Sequence, residues 1–317
     1  MIRLSFAFVC LFCLGPALIA ADPPRRLKVV ASFLPAYCFS ANVAAGVADV
    51  ENLLPGTVSP HEFQLASSDI KRLEQADLLV VNGLKLEEWL VKLIDRLPAK
   101  KRPVVVACSA GLEDQLIFSL GGDQHNGHDH GERPGSKESI KHRRGQRVAN
   151  PHIWLDPRLA RHAVSNITAA LVALDPAGTA KYRANSEAYG LLLSKLDEEL
   201  QGSLKAVRNH AFVTLHDAFP YFVRRYELRL TGVLEEVPEV PPTPKYLSGL
   251  VKKMRSDRAR VIFTEPGNTP ILARQLGEDL KVEVVELDTL ETGPLDAAGY
   301  EKGMRRNAAI LTKHLRK

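Results

Sequence analysis

Short runs of apolar residues rich in valine and isoleucine alternate along the chain with segments whose apolar positions recur every three to four residues. The runs predict eight buried strands, at 27–32, 49–54, 76–82, 103–108, 210–216, 229–234, 259–265 and 281–288. Segment 66–76 is one of the amphipathic helices, with Ile70, Leu73 and Ala76 on one face. Such alternation is typical of parallel sheets covered by helices. The two series of four strands therefore predict two α/β lobes.

A long helix is predicted between the two series, at 177–207. This segment contains no proline, and its apolar residues recur at helical spacings: Tyr182, Tyr189, Leu193, Leu196, Leu200, Leu204 and Val207. A helix of about thirty residues is about 45 Å long, and the segment lacks the composition of a flexible linker. We therefore expect an N-terminal lobe at 22–176 and a C-terminal lobe at 208–317, joined by one rigid helix.

The first 21 residues have the layout of a secretory signal peptide. A short basic start precedes an uncharged apolar run that ends in small residues, so we expect cleavage near residue 21 and an exported, periplasmic protein. Cys10 and Cys13 lack the small preceding residue that lipid attachment requires, so no lipid anchor is expected. Cys38 and Cys108 remain after cleavage, either as a disulfide or as two buried thiols.

The charge balance gives no support for nucleic-acid binding. Removing residues 1–21 takes away one of the 42 basic residues and none of the 37 acidic residues, which leaves a net charge of +4. The basic residues are interspersed with acidic ones rather than gathered on one face. A hydrophobic content of 45% with 25% charged residues is that of a globular protein.

Four potential metal ligands stand near strand ends or loops of the two lobes. His61 follows the second strand, His152 opens a loop before a helix, and His216 and Asp288 end strands of the second lobe. Ligands of open α/β sheets bind beyond the carboxyl ends of strands, so one cleft between the lobes can gather all four. Three imidazoles and a carboxylate suit tetrahedral zinc. Glu265, at another strand end, competes with Asp288 for the fourth position.

Residues 119–147 predict a disordered loop in the first lobe, because they are polar, glycine-rich and without apolar periodicity. The loop carries His125, His128 and His130. Ordering a segment that buries no core costs conformational entropy, so we expect these histidines to bind additional zinc weakly. The alternative is a solvated spacer that has no role in metal binding.

Four segments closely resemble the zinc- and manganese-binding substrate-binding proteins of bacterial ABC importers. They are LPGTVSPHEFQLASSDIKRLEQADLLVVNG (54–83), NPHIWLDPRLA (150–160), TLHDAFPYFVRRYEL (214–228) and FTEPGNTP (263–270). The resemblance covers essentially all of the chain after residue 21. It implies a monomer of two α/β lobes joined by one long helix, which holds metal between the lobes and delivers it to a membrane permease.

The resemblance also implies which residues bind the metal. The family's histidine ligands fall on His61, His152 and His216, and a carboxylate near the C-terminus, Asp288, completes the set. Members that carry manganese tend to have glutamate in place of His216, so a third imidazole favours Zn²⁺ as the transported ligand, with a manganese- or iron-binding member as the alternative. The segment LDTLETG (287–293) replaces the usual Leu-Asp-Pro-Leu-Gly, which leaves water or Glu265 as alternatives to Asp288.

Two other functions are compatible with a histidine-rich cleft. A zinc hydrolase needs an open water position and a general base, for which Glu265 is a candidate, but no nucleophile motif accompanies the histidines. A surface adhesin with the same fold would be favoured by a lipid-modified N-terminal cysteine, which the sequence does not predict. The motif set therefore favours a transport protein without catalytic activity.

Overall fold

The N-terminal lobe is built on a parallel four-stranded sheet. The computed structural model describes residues 25–61, 63, 65–119, 148–235 and 241–316. The strands of this sheet are β1 Lys28–Ala31, β2 Asp49–Asn52, β3 Leu78–Val81 and β4 Val104–Ala107, in the order β2-β1-β3-β4. Val29 of β1 pairs with Val50 of β2 and with Leu78 of β3. Apart from the exposed Lys28 at the start of β1, the two central strands are apolar and buried, as is typical of a parallel sheet.

In the described part of this lobe, α-helices and a small antiparallel pair of strands accompany the sheet. The helices are α1 Leu34–Ala44, α2 Ser67–Gln75, α3 Glu88–Ile94 and α4 Pro157–Leu174. The pair consists of β5 Phe118–Ser119 and β6 Val148–Ala149. The hydrophobic pattern did not predict β5 and β6, because two residues per strand are too few to show an alternation.

The long helix α5 Thr179–Leu204 joins the lobes, with single 3₁₀ turns at Pro176–Gly178 and Lys205–Val207. The apolar positions that predicted this helix are buried along its whole length. The helix packs against α1 and α4 of the first lobe, and against the C-terminal helix Gly299–Leu315. The prediction of one long helix that connects the two lobes is therefore confirmed.

The C-terminal lobe repeats the parallel design. Its strands are β7 Ala211–Thr214, β8 Arg229–Val233, β9 Val261–Thr264 and β10 Glu283–Glu286, in the order β10-β9-β7-β8. Its helices are α6 Pro220–Tyr226, α7 Pro244–Asp257, α8 Ile271–Leu280 and α9 Gly299–Leu315. All eight predicted strands are confirmed, and with them the α/β fold of two lobes with mainly parallel sheets.

Aromatic side chains and hydrogen bonds connect the two lobes directly. Tyr300 of α9 packs edge-to-face on Phe39 of α1, with ring centroids 5.0 Å apart, and its hydroxyl donates to the Trp154 carbonyl at 2.7 Å. The Trp154 indole, which is 1% exposed, donates to the Thr289 carbonyl at 2.8 Å. Because these contacts are buried and directional, they favour one arrangement of the lobes.

The two cysteines of the described chain are free and buried. Burial raises the pKa of the Cys38 thiol to about 12 and also raises the pKa of Cys108. A thiol with a raised pKa is almost entirely protonated at neutral pH and therefore unreactive. Of the two alternatives that the sequence left open, the structure has the pair of buried thiols.

Several predictions fall on residues outside the described ranges. These are the signal peptide at 1–21 and the histidines of the loop, His125, His128 and His130. Among the helices of the described ranges, none combines the length and apolar character needed to cross a membrane.

Candidate metal centre

Three histidines and one glutamate meet between the lobes. The Nε2 atom of His152 lies 3.3 Å from Nε2 of His216 and 3.2 Å from Oε1 of Glu291. The Nε2 atom of His61 lies 3.6 Å from the same Oε1. In a tetrahedral zinc site with bonds of about 2.0–2.1 Å, neighbouring ligand atoms are about 3.3–3.4 Å apart. The three separations are close to this spacing. The ligand atoms of His61, His152 and Glu291 all lie within 4.8 Å of one another, so these three residues can hold one metal ion, and His216 adjoins them through its contact with His152.

The parallel sheets and their connections bring these four residues together. His61 lies in the loop after β2, His216 follows β7 by two residues, and Glu291 lies in the loop after β10. His152 immediately precedes the single helical turn Ile153–Leu155 that leads into α4. The cluster therefore lies beyond the carboxyl ends of strands from both lobes, the position where open α/β sheets bind ligands.

Asn150 fixes the orientation of His152. The Asn150 Oδ1 atom lies 3.0 Å from the backbone nitrogen of His152 and 2.9 Å from its Nδ1. An amide oxygen only accepts hydrogen bonds, so Nδ1 carries the proton and the Nε2 lone pair faces the cluster. Asn150 also donates to the Asp217 carbonyl at 2.6 Å, which ties this motif to the second lobe.

The protonation state of His152 suits metal binding. Burial lowers the pKa of His152 to about 4, against the opposing effect of the Glu291 carboxylate. The ring is therefore neutral at pH 7, which is the form that binds a metal ion. Its side chain is 4% exposed, so water does not compete freely for Nε2.

Glu265 lies behind His216 rather than among the four clustered groups. Its Oε1 contacts Nδ1 of His216, which leaves Nε2 of that ring for the cluster. Burial acts to lower the pKa of His216, but the hydrogen bond and charge of Glu265, together with the charges of Glu291 and Asp217, raise it. A carboxylate on the second nitrogen is the arrangement that orients metal-bound histidines. The structure thus gives Glu265 an orienting position, not the ligand position that was its alternative assignment.

Asp288, the predicted fourth ligand, does not join the cluster. Its Oδ1 accepts from the backbone of Leu290 at 2.7 Å, and its Oδ2 accepts from Arg306 at 2.9 Å. Asn307 holds the Asp288 backbone on α9 through hydrogen bonds of 3.0 and 2.6 Å. The carboxylate is engaged in holding this loop, and the structure therefore departs from the prediction at this residue.

Glu291 is the carboxylate that reaches the histidines. Leu290, the residue before it, has a left-handed backbone (φ 63°). The side chain of Glu291 extends into the cleft, where its Oε1 lies 3.2 Å from Nε2 of His152. Burial acts to raise the pKa of Glu291, but the neighbouring rings of His152 and His61 hold it well below its usual range. The site is thus an ionised carboxylate among imidazoles. The segment LDTLETG contains both Asp288 and Glu291, and the sequence does not indicate which of the two carboxylates reaches the histidines.

Two glycines allow the loops that carry His61 and Glu291 to approach each other. The Gly293 nitrogen donates to the Gly56 carbonyl at 2.6 Å. A Cβ atom on Gly56 would lie 2.1 Å from the Gly293 oxygen, which is a severe overlap. Gly293 also has a φ of 145°, which L side chains rarely adopt. Close backbone contact between the lobes therefore supports the cluster from one side.

Comparison with known proteins gives a family match over most of the chain. The family model of ZnuA, described as the periplasmic component A of the zinc-uptake complex, matches residues 29–314. The high-affinity zinc uptake system protein ZnuA of Bacillus subtilis (strain 168) is 30% identical over 266 residues, which cover 84% of this chain and 79% of that protein.

Two further relatives show how far the similarity extends. The zinc-binding lipoprotein AdcA of Streptococcus pneumoniae (strain ATCC BAA-255 / R6) is 28% identical over 291 residues, which are 92% of this chain and 55% of AdcA. The chain thus spans about half the length of AdcA. The solved structure of the laminin binding protein Lmb of Streptococcus agalactiae, described as an adhesin with metal transporting activity, aligns with a TM-score of 0.75 and 27% identity over 92% of this chain and 100% of Lmb.

Proposed function

The chain belongs to the family of periplasmic zinc-uptake components, which are solute-binding proteins and not enzymes, and from this membership we propose that it captures Zn²⁺ between its lobes for an ABC importer. The proposed ligands are Nε2 of His61, His152 and His216 and Oε1 of Glu291. The observation that carries the proposal is the set of separations of 3.2, 3.3 and 3.6 Å between these atoms. They are close to the edge of a zinc tetrahedron, about 3.3–3.4 Å, and His61, His152 and Glu291 form a group that can hold one metal ion, with His216 next to His152.

The donor set favours zinc over manganese. Three imidazole nitrogens and one carboxylate oxygen suit zinc, whereas manganese prefers more oxygen donors and six ligands. The relatives ZnuA and AdcA are named for zinc, which agrees with this assignment. Four protein ligands would also complete the coordination shell of zinc and leave no position for a water molecule. A zinc hydrolase needs such an open position, whereas a zinc carrier does not.

Metal analysis of protein purified without a tag tests the proposal, followed by titration of the metal-free protein with zinc and with manganese. We expect one tightly bound zinc per chain, and manganese binding weaker by orders of magnitude. A protein that takes up no stoichiometric zinc, or that binds manganese more tightly than zinc, would refute the assignment of the metal.

Delivery to the permease requires the metal to leave, and we propose that it leaves through a small movement. The helix α5 packs on helices of both lobes, and the buried contacts of Tyr300 and Trp154 join them as well. These contacts permit rocking of about 1–2 Å or movement of the His61 loop more readily than wide opening. X-ray scattering should therefore give nearly equal radii of gyration for metal-free and zinc-loaded protein. A large difference between the two radii would contradict this proposal.

Export by a cleaved signal peptide, without a lipid anchor, is part of the proposal. The family is named as periplasmic, while the AdcA relative is named a lipoprotein. Cys10 and Cys13 lack the preceding small residue that lipid attachment requires. The permease partner and the monomeric state are likewise proposed from the family resemblance.

The histidine-rich segment is proposed to add weak zinc sites to the tight one. His125, His128 and His130 lie among glycine, asparagine and aspartate, and such a tract is a compositional signal for metal binding. Deleting residues 121–145 should remove weak zinc equivalents from a titration and leave the tight site intact. Loss of the tight site would show that the segment supplies a main ligand, and an unchanged titration would show a spacer.

A further inference from the structure

Ser59 contacts two of the proposed metal ligands, Glu291 and His61, but is not itself one of the ligands. Its hydroxyl donates to Oε2 of Glu291 at 2.7 Å and accepts from the backbone nitrogen of His61 at 3.3 Å. Within the described part of the chain it is the one hydrogen-bond donor to Oε2. Ser59 thus links a loop of the first lobe to the carboxylate of the second lobe.

We propose that Ser59 is a specificity-determining residue, which restricts Glu291 to coordination through one oxygen and thereby selects metals that prefer four ligands. This inference rests on the proposed function, because it assumes that Glu291 binds the metal. Ser59 is a positioning residue that acts through Glu291.

The two oxygens of Glu291 have different surroundings. Oε1 lies 3.2 Å from Nε2 of His152 and 3.6 Å from Nε2 of His61, at tetrahedral spacing. Oε2 points away to the Ser59 hydroxyl. For Glu291 to bind a metal through both oxygens, the carboxylate would have to rotate and lose this hydrogen bond. A hydrogen bond to a charged carboxylate is stronger than one between neutral groups, so the rotation is disfavoured.

The backbone around Ser59 limits how this contact can be lost. The Gly293 to Gly56 hydrogen bond of 2.6 Å holds the two loops together on one side. The His61 nitrogen, which bonds to the Ser59 oxygen, fixes the hydroxyl relative to a neighbouring ligand. The hydroxyl therefore sets the position of Oε2 with respect to His61, and through it the number of oxygens available to the metal.

Metals respond differently to the number of oxygen donors. Zinc binds stably to three nitrogen atoms and one oxygen atom in tetrahedral geometry. Manganese gains from additional oxygens and a higher coordination number. A carboxylate free to bind through both oxygens would raise the coordination number to five. Removal of the hydroxyl should thus cost zinc affinity and cost manganese affinity less.

The test compares wild type with Ser59→Ala, Ser59→Thr and Ser68→Ala in the full mature chain. Ser68 is an exposed serine of α2 and serves as the matched control, while threonine restores the hydroxyl. Zinc and manganese affinities are measured by competition, and Co²⁺ is added as a probe because tetrahedral Co²⁺ absorbs visible light more strongly than five- or six-coordinate Co²⁺.

We expect Ser59→Ala to lower zinc affinity by about 10- to 100-fold, the usual effect of removing a partner of a metal ligand. The preference for zinc over manganese should fall by about 10-fold, and Co²⁺ absorption should weaken. The variants Ser59→Thr and Ser68→Ala should resemble wild type. Wild-type protein alone also tests the proposal, because its Co²⁺ form should show the strong tetrahedral absorption.

Two results would overturn the proposal. The first is a wild-type Co²⁺ spectrum of five- or six-coordinate type. The second is an unchanged zinc-to-manganese ratio in Ser59→Ala, and an equal loss of both affinities with an unchanged Co²⁺ spectrum would indicate a purely structural role. Failure of wild type to bind zinc stoichiometrically would instead refute the proposed function, so the two failures are distinguishable.

Discussion

Replacing Glu291 with glutamine should weaken zinc binding by at least about 100-fold, or about 3 kcal/mol. Glutamine keeps the shape of the side chain but removes the negative charge that the cluster places beside three imidazoles. The carboxylate is 5% exposed, so water cannot replace the lost charge at little cost. Isothermal titration, or competition with a zinc chelator, measures the change.

The matched control is Asp288→Asn, the same chemical change three residues earlier in the same loop. Asp288 contacts Leu290 and Arg306 and not the histidine cluster, so its variant should keep zinc affinity within about 10-fold. If Asp288→Asn lost zinc binding while Glu291→Gln retained it, the fourth ligand would be the one predicted from the sequence. The assignment of Glu291 would then be wrong.

Replacing His216 with alanine should also lower the zinc affinity by about 100-fold or more. The variant loses one of three imidazole ligands and also leaves the half-buried Glu265 without the ring that it contacts. The variant Glu265→Gln keeps the ring but weakens the group that orients it, so its affinity should fall by a smaller factor of about 10 to 100. Zinc competition measures both variants.

His210→Ala is the control for His216→Ala, since His210 is exposed just before β7 and outside the cluster. It should bind zinc as wild type does. Unchanged zinc affinity in His216→Ala would contradict the site of three histidines. An effect of Glu265→Gln larger than that of His216→Ala would indicate that Glu265 binds the metal itself.

The architecture could be predicted because its signals are local. Runs such as 78–81 and 261–263 consist of apolar residues that a parallel sheet buries on both faces. The connecting helix follows from a long proline-free stretch with apolar residues on one side. Both signals lie within one element, so neither depends on contacts with distant residues. The pair β5 and β6 lacked such a signal.

The three histidines could be located because strand ends of parallel sheets converge. His61 and His216 follow predicted strands, and the motif containing His152 comes from the family resemblance. The fourth group could not be located in this way, because it depends on how the loop after β10 turns. Leu290 adopts a left-handed backbone that no glycine or asparagine signals, and after this turn Glu291, rather than Asp288, reaches the histidines.

The sequence named Glu265 only as an alternative ligand, and the orienting roles of Asn150, Glu265 and Ser59 were not predicted. Asn150 is two residues from His152, but Glu265 lies 49 positions from His216, and Ser59 lies 232 positions from Glu291. These pairs form only when strands of separate elements and lobes come together. No periodicity in the sequence records such contacts.

A crystal structure of the zinc-loaded protein, with the ion located by anomalous scattering at the zinc edge, tests the central claim most directly. The account predicts one strong peak between the lobes, at about 2.0–2.2 Å from Nε2 of each of His61, His152 and His216 and from Oε1 of Glu291. A cleft without zinc, or a zinc ion bound by Asp288 in place of Glu291, would contradict it.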